Sequence, residues 1–389
     1  MSPFPAGRRR GIMDMFLKSI PYYDGIASRL FWLKTVVRNA LRRNGGKKPE
    51  AFLCIDNLYD RHLYLLAEFF VQAGYYVYIV GNVRIEDYYN SDPYRFYVYT
   101  SHDMKYIGRL PEKIAQDSLL CADHEPQYPV GSRFGLTLSL RYDIDIAPAT
   151  RPEAMILPYP MHPNVYHEKQ IDTIYALRTS SKRMGVFFAG NLKEQYELQS
   201  NLLRNYVPRR AAVRSVRQRF GSQVRLFTTR TSLLRALDEE DLASSIVIFD
   251  ATTERLGREE WFSVLAQSRF FLALPGVVMP MCHNSVEAMA LGVVPILGYG
   301  QLFSPPLASG TVCLGYGSET ELAGAIDVAL AMDAGAYAAL RQRSLDHYDR
   351  HMAPAAFLRG LSRRCSQPME LRFAAEWVSE NLARAAAPS

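Results

Sequence analysis

The sequence predicts an α/β protein of two Rossmann-like domains in tandem with helical extensions at both ends, and three observations predict it. Apolar runs of strand length alternate with helix-length amphipathic segments over most of the chain. Five prolines (Pro148, Pro152, Pro158, Pro160 and Pro163) split that alternation into two series. The length of 389 residues exceeds one ordinary core and suits two α/β domains.

Residues 1–48 form a basic leader. They hold eleven Lys/Arg against Asp14 and Asp24, a net of +9, whereas the other 34 basic and 37 acidic side chains leave the body at −3. A chain-wide basic surface for nucleic acid is thereby excluded. Within the leader, Ile26, Leu30, Leu33, Val37 and Leu41 recur on one helical face and Lys34, Arg38 and Arg42 on another. Such a helix can lie on an anionic membrane, or pack on the first domain with a solvated basic face.

The first domain is expected over 49–150. Ala51–Asp56 reads as a buried strand, Leu58–Ala73 as a helix stopped by Gly74, and Tyr75–Val80 as a second strand, which together make a βαβ unit. The turn after the first strand has no glycine, so a dinucleotide fingerprint is absent. Tyr94–Thr100, Ser118–Cys121 and Leu136–Leu140 read as short strands, and 151–180 as a Pro-rich linker.

The second domain, 181–350, repeats the pattern. Strands are expected at Lys182–Ala189, Gln223–Thr228, Ser245–Asp250, Arg269–Leu274, Val293–Leu297 and Thr311–Leu314. Helical segments are expected within Leu192–Arg219 (broken by Pro208), and at Ser232–Leu237, Arg258–Gln267, Asn284–Leu291 and Glu319–Met332. Residues 351–389 are expected to supply C-terminal helices packing back towards the N-terminal domain, with Met369–Ala387 as one amphipathic helix around Leu371, Phe373, Ala374, Trp377, Val378 and Leu382.

A composition of 48% apolar and 22% charged residues excludes disordered and fibrous classes. The five cysteines form no C-x-x-C pair, and no His/Cys cluster has metal spacing. No G-x-S-x-G or Walker A motif occurs. No uninterrupted run of about 18 apolar residues marks a membrane span, and the leader lacks a signal peptide's pattern. The cytoplasm is the expected compartment, with peripheral contact at the inner face of the membrane through residues 1–44.

The richest segment for chemistry is Phe270–Gly298, a strand ending at Pro275–Gly276 and a helix opening at His283–Asn284–Ser285. Asn284 or Ser285 is expected to cap that helix, whose free N–H groups suit an anion; Glu287 in its first turn suits a ribose diol. A second anion site is expected at the Gly190–Asn191 turn with Arg183 and Lys193.

Glu287 through Ile296, EAMALGVVPI, resembles the Glu-Ala-x-x-x-Gly-x-x-Pro-Ile/Val signature of GT-B glycosyltransferases, whose Glu contacts the donor ribose. Lys182–Asn191 is similar to the Arg-x-x-x-x-x-Phe-Ala-Gly opening of the exostosin-like branch, and Phe271–Gly276 to its Phe-x-Leu-x-Pro-x-Gly strand, shortened by one position. The resemblance covers Lys182 to Phe303. Two departures stand out: Cys282–His283–Asn284 replaces the branch's Ser-x-Arg, and the wider Glu-x-x-Gly pair is missing.

The resemblance implies metal-independent sugar transfer from a nucleotide-sugar co-substrate to a glycan or lipid-linked acceptor, in surface polysaccharide or glycoconjugate synthesis, with no further cofactor and no metal. The second domain would hold the donor through Arg183, Gly190, Asn191, Lys193, Pro275, Gly276, His283, Asn284, Ser285 and Glu287. The first, acceptor-side domain would supply the base. Asp56, at the end of the first strand, is the leading candidate; His102 with Asp103, His124 with Asp123, and Asp143 or Asp145 follow. A nucleotide-sugar epimerase and a non-catalytic GT-B-like binding protein are the alternatives.

Overall fold

The computed structural model describes residues 26–45, 48–81, 93–125, 134–143, 154–197, 200–364 and 369–386. The chain divides into two compact units, Met1–Leu140 with Leu358–Glu370, and Arg141–Phe357 with Leu371–Ser389. Two sheets, of seven and six strands, carry flanking helices.

The strands of the first sheet are β1 (Glu50–Cys54), β2 (Tyr76–Val80), β3 (Met104–Ile107), β4 (Leu119–Ala122), β5 (Leu136–Arg141), β6 (Ala154–Ile156) and, late in the chain, β13 (Met369–Arg372). Their order is β3-β2-β1-β4-β5-β13-β6, and β1 to β5 run parallel. Ala51, Phe52 and Leu53 of β1 are wholly buried, as a central parallel strand covered on both faces requires. Phe52 pairs in register with Tyr78 and Leu120, and its ring stacks on Tyr78 at 5.0 Å.

The second sheet comprises β7 (Met184–Gly190), β8 (Val224–Phe227), β9 (Leu242–Asp250), β10 (Ser268–Ala273), β11 (Val294–Leu297) and β12 (Leu314–Gly315). All its pairs are parallel, in the order β12-β11-β10-β7-β9-β8. Val186, Phe188, Ile246, Ile248, Phe270, Leu272, Val294 and Ile296 form its core with Val213 and Phe220 of the helix Arg209–Phe220. Each such side chain contributes about 1.5–3 kcal/mol by leaving water.

The topology places the ligand-binding edges. In the first sheet the chain winds outward from β1 to β2 and β3, then crosses to β4 and β5. In the second it leaves β7 for β8 and β9, then crosses to β10, β11 and β12. The switch points therefore lie beyond the carboxyl ends of β1/β4 and of β7/β10.

Several segments depart from the sequence expectation. Pro93–Thr100 is a helix, although its tyrosines favour strands; Tyr97 meets Tyr64 edge-on at 5.2 Å and Arg95 pairs with Asp60 at 2.7 Å, so packing on the helix Asp60–Gln72 overrides local preference. Met369–Arg372 is a strand, and the last helix begins only at Glu376. Residues 154–180 are a packed segment containing β6 and two short helices, with Leu157, Tyr159 and Met161 buried. A further helix, Ala334–His347, has no counterpart in the sequence expectation.

Candidate active site

At the second switch point, β7 ends in Gly190 with Asn191 just after it, and Pro275–Gly276 follows β10. Arg209 joins them: its Nε donates to the Pro275 carbonyl at 2.9 Å and its Nη1 to the Asn191 carbonyl at 3.3 Å. Pro208 sets the entry to the following helix and makes Arg209 its first residue, which aims the side chain back at the strand ends. The guanidinium lies 4.0 Å over the Tyr196 ring. A Cβ at Gly190 would stand 2.9 Å from the Phe188 ring and 3.4 Å from Nη1 of Arg209, so glycine leaves the space the cation occupies.

Arg209 is bound by carbonyls and a ring, and no carboxylate pairs with it among the described residues. Burial pulls its pKa down, the sign of a cation held without a neutralising partner. Nearby, the Cys282 Sγ and the Tyr299 hydroxyl are 3.2 Å apart. A desolvated guanidinium at a strand-end crevice suits an anion with several acceptor oxygens.

The sequence-predicted residues divide around this point. Gly190, Asn191, Pro275 and Gly276 lie at it. The Asn191 side chain accepts from the Lys193 backbone at 2.8 Å, and the Lys193 side chain is exposed. Arg183 is at the amino end of β7, the opposite edge of the sheet by about 23 Å of strand, and its Nη2 donates to the Asp238 carbonyl at 3.2 Å. Its assignment to the strand-end anion site is corrected accordingly.

The helix His283–Ala290 starts as expected but is capped differently. Cys282 is the N-cap, and the Ser285 hydroxyl donates to the Cys282 carbonyl at 2.7 Å instead of accepting from an N–H. His283 and Asn284 stay partly exposed at the helix start, with the His283 ring 5.2 Å from that of His162. Gly292, at φ +68°, lets the chain turn straight into β11.

Glu287 turns inward. It is 1% exposed, its Oε1 accepts from the His162 backbone at 3.1 Å, and its Oε2 accepts from the Trp261 indole at 2.7 Å. Burial pushes its pKa up to about 7 against these two favourable bonds. Trp261 in turn packs on Phe187 and Phe271. The carboxylate thus ties three segments together, and at 1% exposure it leaves no room for a ribose diol unless those segments move.

In the first sheet, Asp56 follows β1 and the pair Asp123–His124 follows β4, at that sheet's own switch point. The Asp123 side chain is buried and accepts from the backbone N–H groups of Asp56 (3.1 Å) and Asn57 (3.0 Å), and its Oδ1 lies 2.9 Å from His124 Nδ1. A carboxylate only accepts, so Nδ1 carries the proton of this contact, and the tautomer it selects has its lone pair on Nε2. The Asp56 carboxylate is exposed, 3.6 Å from the same Nδ1. His102 precedes β3, at the amino end of the sheet, because that strand begins only at Met104; it is removed from this group. Asp145 lies outside the described residues, and Asp143 is 3.9 Å from Arg372.

Two residues here were not singled out from sequence: Arg209, one of many arginines between 204 and 219, and Trp261. The available signal for Arg209 was Pro208, which marks the helix start after β7.

No family model matches the chain, and no curated protein matches it. Solved structures match over most of its length. Anabaena Alr3699/HepE in complex with UDP has a TM-score of 0.44 at 9% identity, covering 81% of this chain and 99% of that one. Sucrose-phosphate synthase from Thermosynechococcus elongatus gives 0.38 at 11%, covering 82% and 99%. AviGT4, a glycosyltransferase involved in avilamycin A biosynthesis, gives 0.39 at 14%, covering 81% and 97%.

Proposed function

We propose that this chain transfers a sugar from a nucleotide-sugar donor to a glycan or lipid-linked acceptor, with the donor's phosphates on Arg209. The observation that carries this reading is the carboxylate-free guanidinium spanning the ends of β7 and β10. Departure of a nucleoside phosphate needs positive charge placed in advance, and a fixed Arg with backbone N–H groups at a helix start supplies it. His124, oriented by Asp123, takes the acceptor hydroxyl's proton through Nε2. Membership of the exostosin-like branch rests on the segments 182–191 and 271–276.

The helix Ile26–Leu41 is proposed as the contact with an anionic membrane at its cytoplasmic face. Leu33, Val37 and Leu41 are 55%, 45% and 75% exposed in one row, with Lys34 and Arg38 exposed beside them. The other side is fixed by Asn39, whose Nδ2 donates to the Met104 carbonyl at 2.9 Å.

A thermal-shift panel of nucleosides, nucleotides and sugar nucleotides tests the reading. Uridine diphosphate, the ligand of the Anabaena structure, is the first probe. One nucleoside diphosphate is expected to stabilise the protein by about 3 kcal/mol at a hundredfold excess over Kd. Binding without turnover in any acceptor mixture would favour a non-catalytic nucleotide-binding protein, a reading supported by the inward Glu287. No stabilisation across the panel would overturn both.

A further inference from the structure

A second basic feature lies on the same unit as Arg209. The helix Arg209–Phe220 and the edge strand β8 enclose an open groove of about 580 Å³, lined by Arg210, Arg214 and Arg217 over an apolar floor of Leu192, Val213, Val224 and Leu226. The three arginines stand at i, i+4 and i+7, one helical face spanning about 10 Å. Arg210 shares its charge with Glu197 at 3.3 Å. Arg214 and Arg217 are exposed and pair with no carboxylate among the described residues. Leu192 follows Gly190–Asn191 directly, so the groove begins beside the strand end that Arg209 reaches.

We infer that this groove binds an acidic saccharide chain, one carrying carboxylate or phosphate groups along its length. Guanidiniums spread over two turns need several anions in a row, which a lone phosphate does not offer, and each matches a carboxylate or phosphate with paired N–H groups. The apolar floor suits the C–H faces of sugar rings, and the outer edge of β8 leaves backbone groups for hydroxyls. Nucleic acid fits less well: none of the lining side chains is aromatic, so bases have nothing to stack on. The groove's role as the acceptor subsite rests on the transferase reading; its ligand class does not.

The test uses the full chain and the variant Arg214→Gln/Arg217→Gln, two exposed helix positions where glutamine keeps the helix. Titrations employ a size-defined polygalacturonate oligosaccharide, a neutral glucan of equal length, a pyrimidine oligodeoxynucleotide and uridine diphosphate. The acidic oligosaccharide should bind the native chain, weaken with salt, and lose about tenfold or more in the variant, the sum of two exposed ion pairs. Uridine diphosphate should bind both proteins alike, and the unfolding midpoint should not move. The inference is overturned by three outcomes: no binding of the acidic chain, binding that the double substitution leaves intact, or equal binding of glucan or oligonucleotide. Binding of the acidic chain by a native protein that binds no nucleoside diphosphate would overturn the transferase reading alone.

Discussion

Replacing Glu287 with Gln separates a structural carboxylate from one that faces a sugar. In the native state both carboxylate oxygens accept from protein donors in a 1% exposed site, and the pKa is raised to about 7. The unfolded chain releases this proton near 4.5, so between that pH and 7 the native state holds a proton that the unfolded state has lost. Stability contributed by this group is therefore complete below about pH 4.5 and disappears as pH rises to about 7. A shift of that size amounts to about 3 kcal/mol. The glutamine side chain does not titrate, and it brings an NH2 towards a site that already holds two donors, so it costs about 1–3 kcal/mol at low pH.

Chemical unfolding of both proteins from about pH 4.5 to 8, followed by tryptophan fluorescence, reads the difference. The native chain's advantage should shrink by about 3 kcal/mol across the range. Glu68, also raised to about 7 by burial, titrates in both proteins and cancels. A difference constant with pH would contradict a buried Glu287, since it would mean a solvated carboxylate such as a ribose contact requires.

Other outcomes follow from the same geometry. Asp123→Asn should flip His124 to the Nε2-protonated form and lower turnover by about 10²–10⁴ while sparing nucleotide affinity; unchanged turnover would remove His124 as the base. Gly190→Ala forces a methyl against Phe188 and Arg209, which should cost about 1–3 kcal/mol of stability and weaken nucleoside diphosphate binding; native affinity would contradict the packing described. Leu33→Ser/Leu41→Ser should reduce cosedimentation with anionic liposomes and leave nucleotide binding unaltered; undiminished cosedimentation would return this helix to a purely structural role.

The parallel sheets were legible because buried strands such as β1 (Glu50–Cys54) and β10 (Ser268–Ala273) contain continuous apolar runs bounded by turn residues. Pro93–Thr100 was not, because its aromatic residues serve a helix packed on Asp60–Gln72 as well as they would a strand. Met369–Arg372 reads as helix since its apolar residues merge with those of the helix that follows. At the candidate site, strand-end positions such as Asn191 and Pro275 could be located from the pattern alone. Side-chain direction could not: Glu287 has the spacing of a ribose contact yet points at His162 and Trp261. Arg209 is distinguished from Arg210 only by which side of the helix start faces the sheet. His102 and His124 look equivalent until the start of β3 at Met104 puts the former at the wrong edge.

The proposed donor site centres on Arg209, and calorimetric titration of uridine diphosphate and uridine into the native chain and Arg209→Met tests it directly. Loss of charge-assisted bonds worth about 1.5–3 kcal/mol predicts a diphosphate Kd weaker by about 10- to 150-fold, with uridine affinity unchanged. Equal diphosphate affinity in the two proteins would contradict a donor site at the switch point of the second sheet.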